Sequence, residues 1–335
     1  MVFFSLCIML ILILVAAEIF TNGLEHFGHK LKISEGVTGS IFAAVGTALP
    51  ETIIPLTALL SISTDITTSH AIGVGAILGA PLMLSTVAMG LLSVAVISKR
   101  GFYGKFTPEL SGIKRDLDFF LVVFIFAGAA LFIPHNSYMA KLLIASAMIC
   151  IYFFYIYKTI KASKKLVGEG HVTVISSPMY LSRIGFPVNT LSIVIQLVIG
   201  LALLILGAKG LIHYIEIAAS IIGLPILILS IMLIPLATEL PEKVNSFLWI
   251  RRNKDTLAFG NLTGAMIFQG SLLPAIGILL TPWEANREII LLFVITLLST
   301  FWIRRNIHKG GIKVWHLFIN MSCYVLYIFL VFKYI

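Results

Sequence analysis

The sequence predicts an all-α integral membrane protein of ten transmembrane helices, built as two inverted five-helix repeats with helices broken near the midplane. Three observations predict it. Apolar residues make up 59% of the 335 and charged residues only 12%, about half the roughly 25% charged content of a soluble domain. The apolar residues gather in windows long enough to cross a bilayer, which takes about 20 residues. Finally, the chain matches itself at an offset of 191 residues.

In chain order the windows are 3–28, 35–60, 70–98, 117–134, 137–160, 187–217, 221–250, 256–281, 286–303 and 312–333. Lipid offers no partner to free backbone N–H and C=O groups, so most of these windows must be helical. Val2 to Ala17 is shaped like the apolar core of a signal peptide, but no Lys or Arg precedes it and the repeat needs it. It is therefore expected to remain as the first span. The longest polar stretch, Lys158 to Arg183, falls near the middle, giving a first half at 1–160, a linker at 161–186 and a second half at 187–335. Cys7, Cys150 and Cys323 stand singly in apolar runs and predict no disulfide.

The net charge of +9 does not point to nucleic acid, because the basic residues lie in the loops. Loops after spans 1, 3, 5, 7 and 9 carry 19 of the 24 Lys and Arg, whereas the other side has only Lys141, Arg287 and Lys333. By the positive-inside rule the linker is cytoplasmic and both termini lie outside, in a multi-pass protein of the cell membrane. The lipid bilayer and transported ions are the partners this implies. No protein partner is indicated.

At the offset of 191, Gly46-Thr47-Ala48-Leu49-Pro50-Glu51 falls on Ala237-Thr238-Glu239-Leu240-Pro241-Glu242, and Glu25 falls on Glu216. After a change of six residues, Gly75-Ala76-Ile77-Leu78-Gly79-Ala80 falls on Gly260-Asn261-Leu262-Thr263-Gly264-Ala265. Five spans per half is an odd number, so the second half enters the membrane inverted. Inverted repeats are a usual architecture of secondary transporters.

The repeated motif carries the chemistry. Glu51 and Glu242 lie inside apolar spans, where a lone carboxylate costs a few kcal/mol and must be paired, protonated or facing water. Pro50, Pro235 and Pro241 cannot donate a helical hydrogen bond, so the carbonyls of Gly46, Ile231 and Ala237 are released. Carbonyls, the hydroxyls of Thr47 and Thr238 and the two carboxylates form an all-oxygen donor set suited to a hard cation such as Ca²⁺, or to Na⁺. Gln269, one turn beyond Ala265, offers a further carbonyl oxygen. The Gly75-x-x-x-Gly79 and Gly260-x-x-x-Gly264 runs are expected to let their helices approach the broken ones. Glu25, His26 and His29 form a second, weaker candidate cluster at the end of span 1, and Glu18 is the repeat counterpart of Lys209.

These residues resemble the cation/calcium antiporter superfamily, which includes the sodium/calcium exchangers. Its two alpha-repeats carry Gly-Thr-Ser-Leu-Pro-Glu followed by Gly-Asn-x-x-Gly-Ser-Asn, and the likeness covers nearly the whole chain. The resemblance implies antiport by alternating access, with no cofactor and with Ca²⁺ and Na⁺ as transported ions. It implies Glu51 and Glu242 as central metal ligands, Thr47 and Thr238 beside them, and the backbone oxygens of Ala44 and Pro235 at carbonyl-ligand positions.

The departures bear on the ions. The motif Ser is Ala48 in one repeat and Glu239 in the other, two polar groups of the first Gly-Asn motif are missing, and the later Asn or Asp becomes Leu84 or Gln269. Glu239 is either a third anionic ligand or is neutralised by Lys243 four residues on, if the helix is continuous there. Three charges would suit Ca²⁺ or several Na⁺; two would suit protons as counter-ion. The alternatives are an exchanger of Mg²⁺, Mn²⁺ or monovalent ions only, a channel, or an intramembrane enzyme using the two Glu as acid and base. No HExxH, GxSxG or paired-Asp motif supports the enzyme.

Overall fold

A computed structural model describes residues 2–30, 49–60, 65–134, 136–167, 177–251, 253, 255–307 and 311–333. Thr47 and Ala44 lie outside them. The helices are α1 (Val2–Lys30), α2 (Leu49–Leu59), α3 (Ile66–Met83), α4 (Met89–Arg100), α5 (Leu110–Ala130), α6 (Tyr138–Val167), α7 (Thr190–Ile222), α8 (Ile226–Thr238), α9 (Leu240–Arg251), α10 (Asp255–Leu280), α11 (Arg287–Asn306) and α12 (Val314–Phe332). Six described stretches are long and apolar enough to cross a membrane, among them Ile66–Arg100, Thr190–Ile222 and Ala258–Leu280.

The expected window 70–98 is one continuous rod in which α3 joins α4 through a π-helical turn, Leu84–Ala88. The wide turn has a local cause. The hydroxyls of Ser85 and Thr86 both donate to the carbonyl of Leu82 at 3.1 and 2.5 Å, competing with the backbone for it. The Ser85 carbonyl accepts the Asn320 amide at 2.8 Å, and Ser299 donates to the Ser85 hydroxyl at 3.0 Å. The window 221–250 holds two helices, α8 and α9, separated at Glu239. Helix α5 begins well before its window because Glu109 caps it, accepting from the N–H groups of Ser111 and Gly112 at 2.8 and 3.0 Å. Burial disfavours the Glu109 carboxylate, but those bonds and Arg115 outweigh it and hold its pKa below the ordinary value.

The residues group into two compact units that do not follow the sequence halves: residues 1–73 with 156–229, and residues 74–155 with 230–335. These are spatial groupings whereas the halves are a sequence repeat, so neither tests the other. In the first unit α1 and α7 pack antiparallel through glycines. A Cβ on Gly200 would stand 2.9 Å from the Phe20 nitrogen, one on Gly207 2.8 Å from Ile13 Cγ1, and one on Gly210 would strike Met9 Sδ. Backbones approach this closely only where the side chain is absent.

The described end of the linker, from Ser177 on, is held to the helices. Residues 177–181 dock on a buried Asn22–Gln196 pair: Asn22 donates to Ser177 Oγ, Gln196 to Asn22 Oδ1, and the N–H groups of Tyr180 and Leu181 bond Asn22 and Gln196. Glu18 accepts from the Tyr180 hydroxyl at 2.8 Å.

In the second unit Arg100 gathers chain ends. Its guanidinium meets both oxygens of Asp255 at 2.6 and 2.7 Å, and also bonds the carbonyls of Lys105 and Ile250. Beside it runs a two-stranded antiparallel ladder, β1 (Lys105–Phe106) with β2 (Ile312–Lys313).

Candidate functional site

Glu51 lies in α2 directly after Pro50 and is only 3% exposed. Glu242, its repeat counterpart, lies in the first turn of α9, which opens Leu240-Pro241-Glu242. Pro241 therefore does not kink a continuous span. It stands where a new helix starts, a position that needs no N–H donor. In the second repeat the helical run is interrupted at the single residue Glu239. Hydrogen bonds run through it, from Glu239 N–H to the Pro235 carbonyl at 3.2 Å and from Lys243 N–H to the Glu239 carbonyl at 3.0 Å.

That continuity sets the geometry of Glu239 and Lys243. Four residues apart, they form an ion pair with Lys243 Nζ 3.2 Å from Glu239 Oε2, at 3% and 0% side-chain exposure. The same ammonium donates to the carbonyl oxygen of Pro235 at 3.3 Å. Pro235, Glu239 and Lys243 therefore converge, and the carboxylate and the carbonyl both face a cation that the chain itself supplies. Thr238, buried beside them, donates to the Ile234 carbonyl at 3.1 Å, which leaves its oxygen lone pairs available.

Gln269 on α10 is fully buried, and neither its amide oxygen nor its nitrogen has a hydrogen-bond partner among the described residues. A buried amide in that condition costs about 1–3 kcal/mol. The cost is understandable where the group waits for a ligand.

The glycine expectation holds in part. Gly79 on α3 crosses α8 where Pro235 releases the Ile231 carbonyl: a Cβ on Gly79 would overlap that oxygen and stand 2.7 Å from Pro235 Cγ. At Gly260 and Gly264 an added Cβ meets no described atom within 4 Å. Replacing Gly79 with Ala is expected to destabilise the protein by about 1–3 kcal/mol, the usual cost of overpacking. Thermal unfolding of the detergent-purified protein measures it, and an unchanged midpoint would show that the crossing has slack. Asn261 instead ties α10 to α9 through the Ser246 hydroxyl at 3.1 Å.

Asp116 was missed by sequence reasoning. It is buried, and it accepts from the hydroxyls of Thr263 at 2.8 Å and Tyr155 at 3.1 Å. In the sequence it reads as one more charge of the Lys114-Arg115-Asp116 loop. The available signal was periodicity, since Ile113, Asp116, Leu117, Phe120 and Phe124 fall on one buried stripe of α5. Of the weaker cluster, His26 shares a 3.1 Å hydrogen bond with the Ser177 carbonyl, an ordinary structural contact.

Comparison with known proteins identifies the family and the fold. The family model described as "Sodium/calcium exchanger protein" matches residues 1–161 and 192–333. The putative antiporter CaxA of Alkalimonas amylolytica is 24% identical over 282 residues, covering 82% of this chain and 79% of that protein. Among solved structures, the H⁺/Ca²⁺ exchanger CAX superposes with a TM-score of 0.73 at 14% identity, over 99% of this chain and 82% of that one. The sodium-calcium exchanger NCX_Mj gives 0.61 at 18% identity, over 98% and 99%. At those identities the structures speak for the fold, a multi-pass membrane one, while the family match spans nearly the entire sequence. This chain belongs to the sodium/calcium exchanger protein family.

Proposed function

We propose that this protein is a secondary active antiporter of the cell membrane that exchanges Ca²⁺ for Na⁺ or H⁺ by alternating access. It crosses the bilayer ten times, in two inverted halves (1–160 and 187–335) joined by a cytoplasmic linker, with both termini outside. The observation that carries the reading is the repeated Leu-Pro-Glu: a buried carboxylate at Glu51 in an apolar helix, with Glu242 at the equivalent place in the other repeat. Glu51 and Glu242 are the central ligands, helped by Thr47, Thr238, Gln269 and the carbonyl oxygens of Ala44 and Pro235. The unsatisfied amide of Gln269 supports its place among them. Glu239, neutralised by Lys243, adds no net charge, so two carboxylates bind the transported ions. Two negative charges balance one Ca²⁺, or two protons or Na⁺ on the return step.

Proteoliposomes holding a pH indicator, tested with equal Na⁺ on both sides and then with an outward Na⁺ gradient, distinguish the counter-ions. Adding external Ca²⁺ alkalinises the lumen if protons leave in exchange. If the flux needs an outward Na⁺ gradient and the lumen pH stays constant, Na⁺ is the counter-ion. A flux that neither saturates nor depends on either ion would identify a channel and overturn the antiport reading. The reading with Mg²⁺ or Mn²⁺ as substrate is favoured by the oxygens lost from the first repeat at Ala48, Ala76 and Leu84, and the same vesicles test it by substitution of the divalent ion.

A further inference from the structure

The Glu239–Lys243 pair is more than a neutralised charge. A buried ion pair is weak evidence for stability, because desolvation of both groups offsets their attraction. Here the ammonium also leans on a third group, the Pro235 carbonyl, at 3.3 Å. One carboxylate oxygen and one backbone oxygen face a positive head shielded from water, and oxygens of these two kinds are also ligands that a monovalent cation takes. The chain meets them with its own side chain.

We propose that Lys243 is a specificity-determining residue whose ammonium permanently occupies a monovalent-cation position formed by Glu239 and the Pro235 carbonyl. The protein therefore binds one monovalent ion fewer than its intramembrane carboxylates would hold. The inference rests on the antiport reading for its transport consequence, although the site itself is read from contacts within the second unit.

The test uses full-length protein purified in detergent and reads thermal stability against NaCl, with choline chloride at matched ionic strength as control. A ligand that binds only the folded state stabilises it in proportion to the logarithm of its concentration once above its Kd. Lys243→Met keeps the apolar stem and opens the position. The expected result is a Na⁺-specific rise in unfolding temperature that wild type lacks, and one additional Na⁺ in the Hill analysis of Na⁺ competition with Ca²⁺ uptake. Glu239→Gln combined with Lys243→Met removes the carboxylate as well and is expected to lose the extra ion again. A Lys243→Met protein with the wild-type Na⁺ response, or a double variant that keeps the extra ion, overturns the proposal. If Lys243→Met folds only in high NaCl, the proposal is supported. If it folds in no salt, NaCl included, Na⁺ does not replace the ammonium and the proposal is overturned. The stability readout needs no transport, so a wild type that moves no Ca²⁺ would refute the antiport reading without deciding the site.

Discussion

Replacing Glu51 with Gln is expected to abolish cation exchange while leaving the protein folded and inserted. The residue is buried in an apolar helix, and Gln has nearly its volume, so the packing persists while the charge is lost. Removing one member of a desolvated charge pair costs about 3–5 kcal/mol. At about 1.4 kcal/mol per decade the affinity for a divalent cation should fall by about two to three and a half orders of magnitude. Glu242→Gln should behave alike, because the repeat gives the two residues equivalent places. Uptake of ⁴⁵Ca²⁺ into proteoliposomes checks the activity, and a monodisperse elution profile checks the fold. Exchange retained by either variant would remove that residue from the site.

The second large effect is structural. Asp255→Ala strands the Arg100 guanidinium, whose side chain is only 20% exposed, and also releases the Thr107 N–H that Asp255 accepts at 2.8 Å. A bidentate Arg–carboxylate contact is among the stronger ionic interactions, and breaking a buried pair costs about 3–5 kcal/mol. The unfolding temperature should drop sharply. Replacing both partners, Arg100→Met with Asp255→Leu, should recover much of the loss, since no lone charge is then left behind. An Asp255→Ala protein that melts with wild type would mean that the ends of α4, α9 and α10 are held by other contacts.

Much of the fold was legible because lipid imposes a simple rule: a long apolar run has to be a helix. The windows 256–281 and 312–333 fall almost on α10 and α12 for that reason. What the rule does not reach is polar detail inside the spans. The π-turn at Leu84–Ala88 depends on two hydroxyls competing for one carbonyl and on Asn320, more than two hundred residues away in sequence. The buried Asn22–Gln196 pair depends on where the linker docks. Periodicity records neither.

The proposed site was legible through repetition. Leu-Pro-Glu at two equivalent places marks Glu51 and Glu242 without any structure, and the four-residue spacing of Glu239 and Lys243 left two outcomes open. The structure shows them as an ion pair, because the hydrogen bonds to and from Glu239 keep their helical spacing. The contact from Lys243 to the Pro235 carbonyl eight residues back had no sequence signal. A helical rise of about 1.5 Å per residue puts those residues two turns apart, and only a long side chain folded back along the helix spans that distance. Asp116 escaped for the opposite reason: its neighbours Lys114 and Arg115 disguised a buried position as a loop.

The most direct test of the central claim is ⁴⁵Ca²⁺ uptake into proteoliposomes under an outward Na⁺ gradient and, separately, an outward H⁺ gradient, each with and without an ionophore that collapses it. The account predicts saturable uptake that follows one of the two gradients, stops when the ionophore is added and is absent from Glu51→Gln. Uptake that persists after both gradients are collapsed, or an unimpaired Glu51→Gln protein, would contradict it.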